Sequence, residues 1–441
     1  MQQLANRLYH KTIKRWMPFW RDVSTQNNSL EKLSLEPVLN ANHEKVLLTW
    51  MDACLQSDGG EVAARGRAAE LGRHFLGLND AGRVRFLSLM ADHYNVDEAR
   101  LTIAAKAWLT ADAGERVSLE AELRSALEPP RMKLLTQFNE LPQGIKFLVD
   151  MREQLLRLGK EHPNLVPLEA DLKRLLSAWF DVGLLQMEEI NWRSSAELLE
   201  KLIAYEAVHA IKDWNDLKNR LDSDRRCFAF FHPNMPDEPL IFVEVALVKG
   251  MASNVQELLD ETAPLEDISL ADTAIFYSIS NAQAGLAGIS FGNFLIKRVV
   301  KQLQQEFTQL TAFATLSPIP DFCRWLDTID VEKESALLDE GLALRSPEHM
   351  QKMAIHYLGK EKQKRNPNHA RDPVAHFHLS NGAQIERLNW MADTSDKGIK
   401  QSNGMMVNYL YQLPHIESRI QDYSTKGKVA LSAKIEKQLN I

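Results

Sequence analysis

The run Thr273-Ala274-Ile275-Phe276-Tyr277-Ser278-Ile279-Ser280, then Asn281-Ala282-Gln283-Ala284-Gly285-Leu286-Ala287-Gly288-Ile289-Ser290-Phe291-Gly292, then Asn293-Phe294-Leu295-Ile296-Lys297-Arg298-Val299-Val300, reads as strand, glycine loop and helix. Its first piece has the β-branched and aromatic content of a strand. In its last piece Phe294, Ile296, Val299, Val300, Leu303 and Phe307 share one side of a helix, with Lys297, Arg298, Lys301 and Gln304 around it. Three glycines in eight residues, Gly285 to Gly292, let backbone N–H groups approach a bulky anion, and the following helix start adds partial positive charge. From Thr273 through Gln305 there is no Asp or Glu, so Lys297, Arg298 and Lys301 make the segment locally cationic. The unit suits a pyrophosphate; a glycine-lined turn beside a solvated basic helix face fits the same residues. Neither Gly-x-Gly-x-x-Gly nor Gly-x-x-x-x-Gly-Lys-Ser/Thr is present.

Outward from this unit, the second half alternates strands with helices. Strands are expected at Cys227 to Phe231, Leu240 to Val248, Thr311 to Leu316 and Val374 to Leu379. Lys360 to Asp372 reads as a polar linker. Upstream, from about residue 30 to 185, apolar residues recur at three and four, as in Ile145, Leu148, Met151, Leu155 and Leu158. Breakers at Asp58-Gly59-Gly60, Asn79-Asp80, Ala113-Gly114, Pro129-Pro130 and Pro142 divide that stretch into helix-sized pieces. The fold class is therefore α+β and multidomain, with a helical bundle at 1–185 in a structural or assembly role and an α/β-containing domain at 186–441.

A chain of 441 residues is long enough for two or three cores. With 52 Lys and Arg against 59 Asp and Glu its net charge is −7, which excludes a general binder of nucleic acid or anionic membrane. No apolar run approaches the ~20 residues of a membrane-spanning helix. Cys54, Cys227 and Cys323 lie too far apart in sequence for a disulfide framework or a cysteine zinc site and fit a reducing compartment. The cytoplasm is expected. Residues 1–21 hold Arg7, Lys11, Lys14, Arg15 and Arg21 with no acid; they read as an amphipathic first helix, with a transit segment to the mitochondrial matrix as the other reading.

Two side chains stand out as chemical candidates. Ser317, in Thr315-Leu316-Ser317-Pro318-Ile319-Pro320, falls where a strand meets its connecting loop, although a serine there also serves as a helix N-cap. His378 falls in Ala375-His376-Phe377-His378-Leu379-Ser380-Asn381-Gly382-Ala383, where strand alternation would put His376 and His378 on one face. A histidine so placed is a structural residue or a proton-transfer group. A two-histidine metal site would need a third ligand, and His356 and His369 carry no motif that supplies it. Hydrolase signatures such as Gly-x-Ser-x-Gly are missing.

Taken together, Ala274 to Ser280, Gly285 to Gly292, Phe294 to Val300, Leu316-Ser-Pro-Ile-Pro320, Phe377-His-Leu379 with Asn381-Gly382-Ala383, Asn389-Trp-Met-Ala-Asp393 and Gly404-Met-Met-Val-Asn-Tyr409 resemble the malonyl-CoA decarboxylase family. The resemblance implies a helical N-terminal domain, a catalytic domain of the GNAT acyltransferase fold, and a homotetramer. It implies decarboxylation of malonyl-CoA to acetyl-CoA without cofactor or metal, Ser317 and His378 as the catalytic pair, and substrate contacts from Ala287, Gly288, Ile289, Ser290, Phe291, Gly292 and Asn293. Against the acetyltransferase pattern Gln/Arg-x-x-Gly-x-Gly/Ala, Ala287 and Ser290 depart and Gly292 matches. The fold alone would suggest an acyl-CoA-dependent N-acyltransferase, and a helical scaffold with a non-catalytic CoA-binding module is a third reading.

Overall fold

Helices in the first part of the chain follow from apolar spacing and from caps supplied by the sequence. The computed structural model describes Trp20 and residues 36–56, 60–289, 294–329 and 346–438. Its first α-helices are α1 (Ala41–Gln56), α2 (Gly60–Gly77), α3 (Asp80–His93), α4 (Glu98–Thr110), α5 (Ala113–Leu127), α6 (Arg131–Asn139), α7 (Gly144–Leu158) and α8 (Val166–Trp179). Asn79, Asp97 and Asp112 accept backbone N–H groups at the starts of α3, α4 and α5, satisfying donors that have no partner inside a helix. On α7 the expected face is fully buried, with Ile145, Leu148, Met151 and Leu155 all at 2 % exposure or less.

Trp20 is part of the same core. Its ring meets Phe147 edge-on with centroids 5.0 Å apart, and its Nε1 donates to the Pro142 carbonyl at 2.8 Å. A methyl group on Gly72 would meet the indole at 2.6 Å, so the glycine makes the space on α2.

The chain divides into two compact units. The first consists of the described residues of Met1–Leu184, His232–Asp237 and Gln283–Ser290, and the second of those of Leu185–Phe231, Glu238–Ala282 and Phe291–Ile441. The second unit carries β1 (Gln186–Ile190), β2 (Arg225–Phe231), β3 (Ile241–Val248), β4 (Thr273–Asn281), β5 (Ala312–Thr315), β6 (Ser317–Pro318), β7 (Lys362–Gln363), β8 (Asn366–Ala370), β9 (Gln384–Asn389) and β10 (Met406–Leu410). Its helices are α9 (Ala196–Tyr205), α10 (Trp214–Arg220), α11 (Val255–Leu258), α12 (Phe294–Glu306), α13 (Phe322–Leu326), α14 (Pro347–Lys360), α15 (Pro373–Ser380), α16 (Asp396–Ser402), α17 (Ile416–Lys426) and α18 (Ala433–Gln438).

Strand order in the main sheet is β1-β2-β3-β4-β5-β10-β6, with β9 also on β10. The β4 and β5 strands are parallel, from Thr273↔Ala312 to Phe276↔Thr315; parallel neighbours need a crossover, which α12 provides. The acyltransferase-like order of strand, glycine loop, helix and parallel strand is thus present, as is the α+β organisation. One core cluster includes Leu202, Cys227, Phe231 and Phe242, and a second includes Ile275, Tyr277, Leu316 and Met406.

Two local expectations change. Val374 to Leu379 is helix α15, because the buried Asp372 carboxylate accepts the Val374 and Ala375 N–H groups at 2.9 Å each and Pro373 fits the first helical position. The polar stretch from Lys360 to Asp372 carries the hairpin β7–β8. For the first unit, replacing Trp20 with Ala should cost about 3–5 kcal/mol, the usual range for emptying a buried aromatic site. Urea unfolding followed by circular dichroism measures it; an unchanged helical transition would remove Trp20 from the core.

Candidate active site

A short strand and a capped helix bring together the two side chains singled out in the sequence. Ser317 is held in β6 by pairing with Val407 of β10, and His378 is presented by α15. Ser317 Oγ lies 3.0 Å from His378 Nε2. The other ring nitrogen, Nδ1, lies 2.8 Å from Tyr411 Oη. Ser317 Oγ donates to Thr315 Oγ1 at 2.8 Å, which also accepts the Tyr409 N–H at 3.2 Å. With its proton given to Thr315, Ser317 accepts from His378; the imidazole proton is therefore on Nε2, and Nδ1 accepts from Tyr411.

Every member of this chain is buried: Ser317 is 5 % exposed, His378 and Tyr411 3 %, Thr315 and Tyr409 0 %. The Tyr409 ring stacks on the imidazole with centroids 4.5 Å apart. Loss of hydration disfavours the charged form. It pushes the His378 imidazole down from its ordinary value to about 3 and the Tyr411 hydroxyl well up. At neutral pH the chain is uncharged, and one N–H points at a serine oxygen.

Asn408 braces it. This residue has no exposed surface; its Nδ2 donates to the Thr315 carbonyl at 2.8 Å and the Ala252 carbonyl at 3.1 Å. Its Oδ1 accepts from Asn389 Nδ2 at 2.8 Å and Arg387 Nε at 3.1 Å. A fully satisfied buried amide of this kind fixes the end of β5 against β10.

His376, expected beside His378, is on another side of α15. Its Nδ1 meets Tyr423 Oη at 2.9 Å and its ring stacks on His369 at 4.2 Å. The strand reading fails here because a helix turns residues two apart to different faces. The N-cap reading of Ser317 fails as well, since its hydroxyl bonds Thr315 and His378.

Of the loop residues, Ala287 and Gly288 are exposed and Ile289 is buried in the first unit; Ser290, Phe291, Gly292 and Asn293 lie outside the described residues. Gly285 is wedged against α7, where a methyl group would come within 1.8 Å of the Val149 carbonyl oxygen. Arg152, 1 % exposed, donates Nη1 to the Gly285 carbonyl at 2.6 Å and Nε to Glu169 at 2.9 Å. Thr315, Tyr409, Tyr411 and Asn408 were not singled out from sequence as site residues. The one available signal was the spacing of Tyr409 and Tyr411, which alternation puts on one face of an extended strand.

Comparison with known proteins adds the family. The model described as malonyl-CoA decarboxylase C-terminal domain matches residues 183–346 and 339–441, and that described as malonyl-CoA decarboxylase N-terminal domain matches residues 94–180. "Malonyl-CoA decarboxylase, mitochondrial" of Anser anser anser is 36% identical over 409 residues, 82% of this chain and 80% of that protein. The Mus musculus protein of the same name is 36% identical over 398 residues, 79% of this chain and 80% of its own. Among solved structures, malonyl-CoA decarboxylase from Rhodopseudomonas palustris superposes with a TM-score of 0.83 at 39% identity, covering 89% of this chain and 99% of that one. The Agrobacterium vitis structure gives 0.79, 39%, 89% and 99%. Among the described residues no helix is long and apolar enough to cross a membrane.

The low imidazole value has a stability consequence. Between about 3 and the ordinary 6.5 the unfolded chain binds a proton at His378 that the folded protein refuses, so folded stability drops as pH falls through that window. Relative to a His378→Asn variant, the wild type should lose about 1–2 kcal/mol between pH 6.5 and pH 5. Thermal melts of the two proteins across that range test the sign; parallel curves would mean that His378 is not held neutral.

Proposed function

The chain belongs to the malonyl-CoA decarboxylase family, an enzyme family whose substrate is malonyl-CoA and whose product is acetyl-CoA, and from that premise we propose that Ser317 and His378 carry the chemistry without a cofactor. What supports the pair is the 3.0 Å approach of Ser317 Oγ to His378 Nε2 inside a buried hydrogen-bonded chain. In the proposed step the bond from the α-carbon to the carboxylate breaks and carbon dioxide leaves. The electron pair moves into the α-carbon and thioester oxygen as an enolate. The α-carbon then takes one proton from His378 Nε2, which solvent replaces, so each turnover consumes one proton.

The demand on the protein is for preorganised donors at the developing oxyanion and a proton at the carbon. Because the thioester is itself the electron sink, no metal, pyridoxal phosphate or biotin enters the scheme. Ser317 hydrogen-bonds the malonyl group and is the pair's acceptor. Tyr411, donating to Nδ1, is a positioning residue that keeps the imidazole proton on Nε2. Ala287 to Asn293 are assigned to the CoA moiety, with backbone N–H groups toward its pyrophosphate. The same reading assigns the helical part at 1–185 to assembly, the decarboxylase domain to 186–441, and the protein to the cytoplasm, or to the mitochondrial matrix if the basic N-terminus acts as a transit segment.

Purified protein given malonyl-CoA and no amine should release carbon dioxide and acetyl-CoA in equal amounts by mass spectrometry. His378→Ala should lower kcat by about 10²–10⁴-fold, the range for losing a general acid, and Ser317→Ala should slow it as well. Wild-type turnover in both variants would sink the assignment, and turnover only with an amine would make the enzyme an acyltransferase. By light scattering the assembly should weigh four times the 50.2 kDa of one chain; a monomer would refute the tetramer.

A further inference from the structure

A loop that receives a polyphosphate calls for a cation, and two of the three bases nearest to it in sequence are committed elsewhere. Lys297 pairs with Glu417. Arg298 donates Nη1 to the Leu185 carbonyl at 2.7 Å, and its guanidinium lies 5.9 Å from the Phe230 ring centre. In the basic hairpin, Lys362 donates to the Gly427 carbonyl at 2.8 Å.

Another base reaches the loop from α8. A methyl group on Gly288 would meet Lys173 Nζ at 3.3 Å and its Cε at 3.8 Å. Gly288 has a φ of 71°, a left-handed conformation that favours glycine, and the absence of a side chain leaves its backbone open. The acids beside Lys173 on α8 are both occupied: Asp171 holds Arg131 at 2.8 Å, and Glu169 holds Arg152 at 2.8 Å. Among the described residues the Lys173 ammonium has neither a carboxylate nor a hydrogen-bond acceptor within reach. The clamp from Arg152 to Gly285, together with the wedge of Gly285 on Val149, fixes the loop relative to α8.

We propose that Lys173 is a substrate-binding residue whose ammonium pairs with a phosphate of the CoA moiety lying on the exposed Ala287–Gly288 backbone. The inference rests on the assignment of that loop to CoA. It gives the helical half of the sequence a direct part in substrate recognition. A lysine serves as a compact point charge for phosphate, and a methyl group at Gly288 would crowd the position the phosphate takes.

The test uses the full-length wild type, Lys173→Ala and Lys173→Arg with three substrates: malonyl-CoA, malonyl-dephospho-CoA and malonyl-pantetheine, which has no nucleotide phosphates. The alanine variant should raise KM for malonyl-CoA roughly tenfold, the size of one charge-assisted hydrogen bond, with kcat within about twofold. Arginine should restore most of the loss, and the KM for malonyl-pantetheine should match in all three proteins. If the alanine effect persists with malonyl-dephospho-CoA the partner is the pyrophosphate; if it vanishes the partner is the 3′-phosphate. An unchanged KM for malonyl-CoA in Lys173→Ala, in an enzyme that still prefers malonyl-CoA to malonyl-pantetheine, overturns the role of Lys173 alone. Equal KM values for those two substrates in the wild type would overturn the loop assignment and this inference with it.

Discussion

A histidine sealed from water must find a partner for each ring nitrogen, because an unmatched buried donor or acceptor costs about 1–3 kcal/mol. His378 meets that requirement with Tyr411 on one side and Ser317 on the other. The requirement then propagates: Ser317 needs Thr315, Thr315 accepts from the Tyr409 backbone, and Asn408 holds the Thr315 carbonyl. The ends of β5 and β10, strand β6 and helix α15 are consequently fixed to one another through polar groups as well as apolar packing. Asp372 does the same for α15, since a carboxylate with no exposed surface caps the helix that carries the histidine.

The sequence showed what depends on neighbours along the chain. Strand β4, the glycine loop, helix α12 and the return strand β5 were all visible, because periodicity and breakers are local. Two differences between sequence pattern and structure have local causes too. In Val374 to Leu379 the aromatic and β-branched content points to a strand with His376 and His378 on one face, against an Asp-Pro pair that is itself a helix-start signal. The polar stretch after Lys360 carries few apolar residues, so its small hairpin leaves no periodic pattern.

Other parts of the site had no local signal. Only family resemblance pairs Ser317 with His378 in sequence, since nothing between residues 317 and 378 says that they meet. Tyr411, Thr315 and Asn408 acquire their roles from hydrogen bonds that exist only once the sheet has formed. The cationic segment is legible as composition, but Lys297 and Arg298 have partners within the second unit, and the ammonium beside Gly288 belongs to an α8 lysine with no motif around it.

Under the proposed mechanism, charge placement follows the reaction. In losing carbon dioxide the malonyl carboxylate gives up its localised charge, so a permanent cation beside it would favour the ground state more than the transition state and slow the step. A CoA phosphate keeps its charge throughout, and a cation there adds binding without opposing the chemistry. The imidazole of His378 fits this division, because burial alone displaces its protonation and no neighbouring charge contributes. In the proposed scheme a neutral hydrogen-bonded chain can strengthen its bonds as charge develops in the transition state, whereas an ion pair would interact with the ground state as strongly.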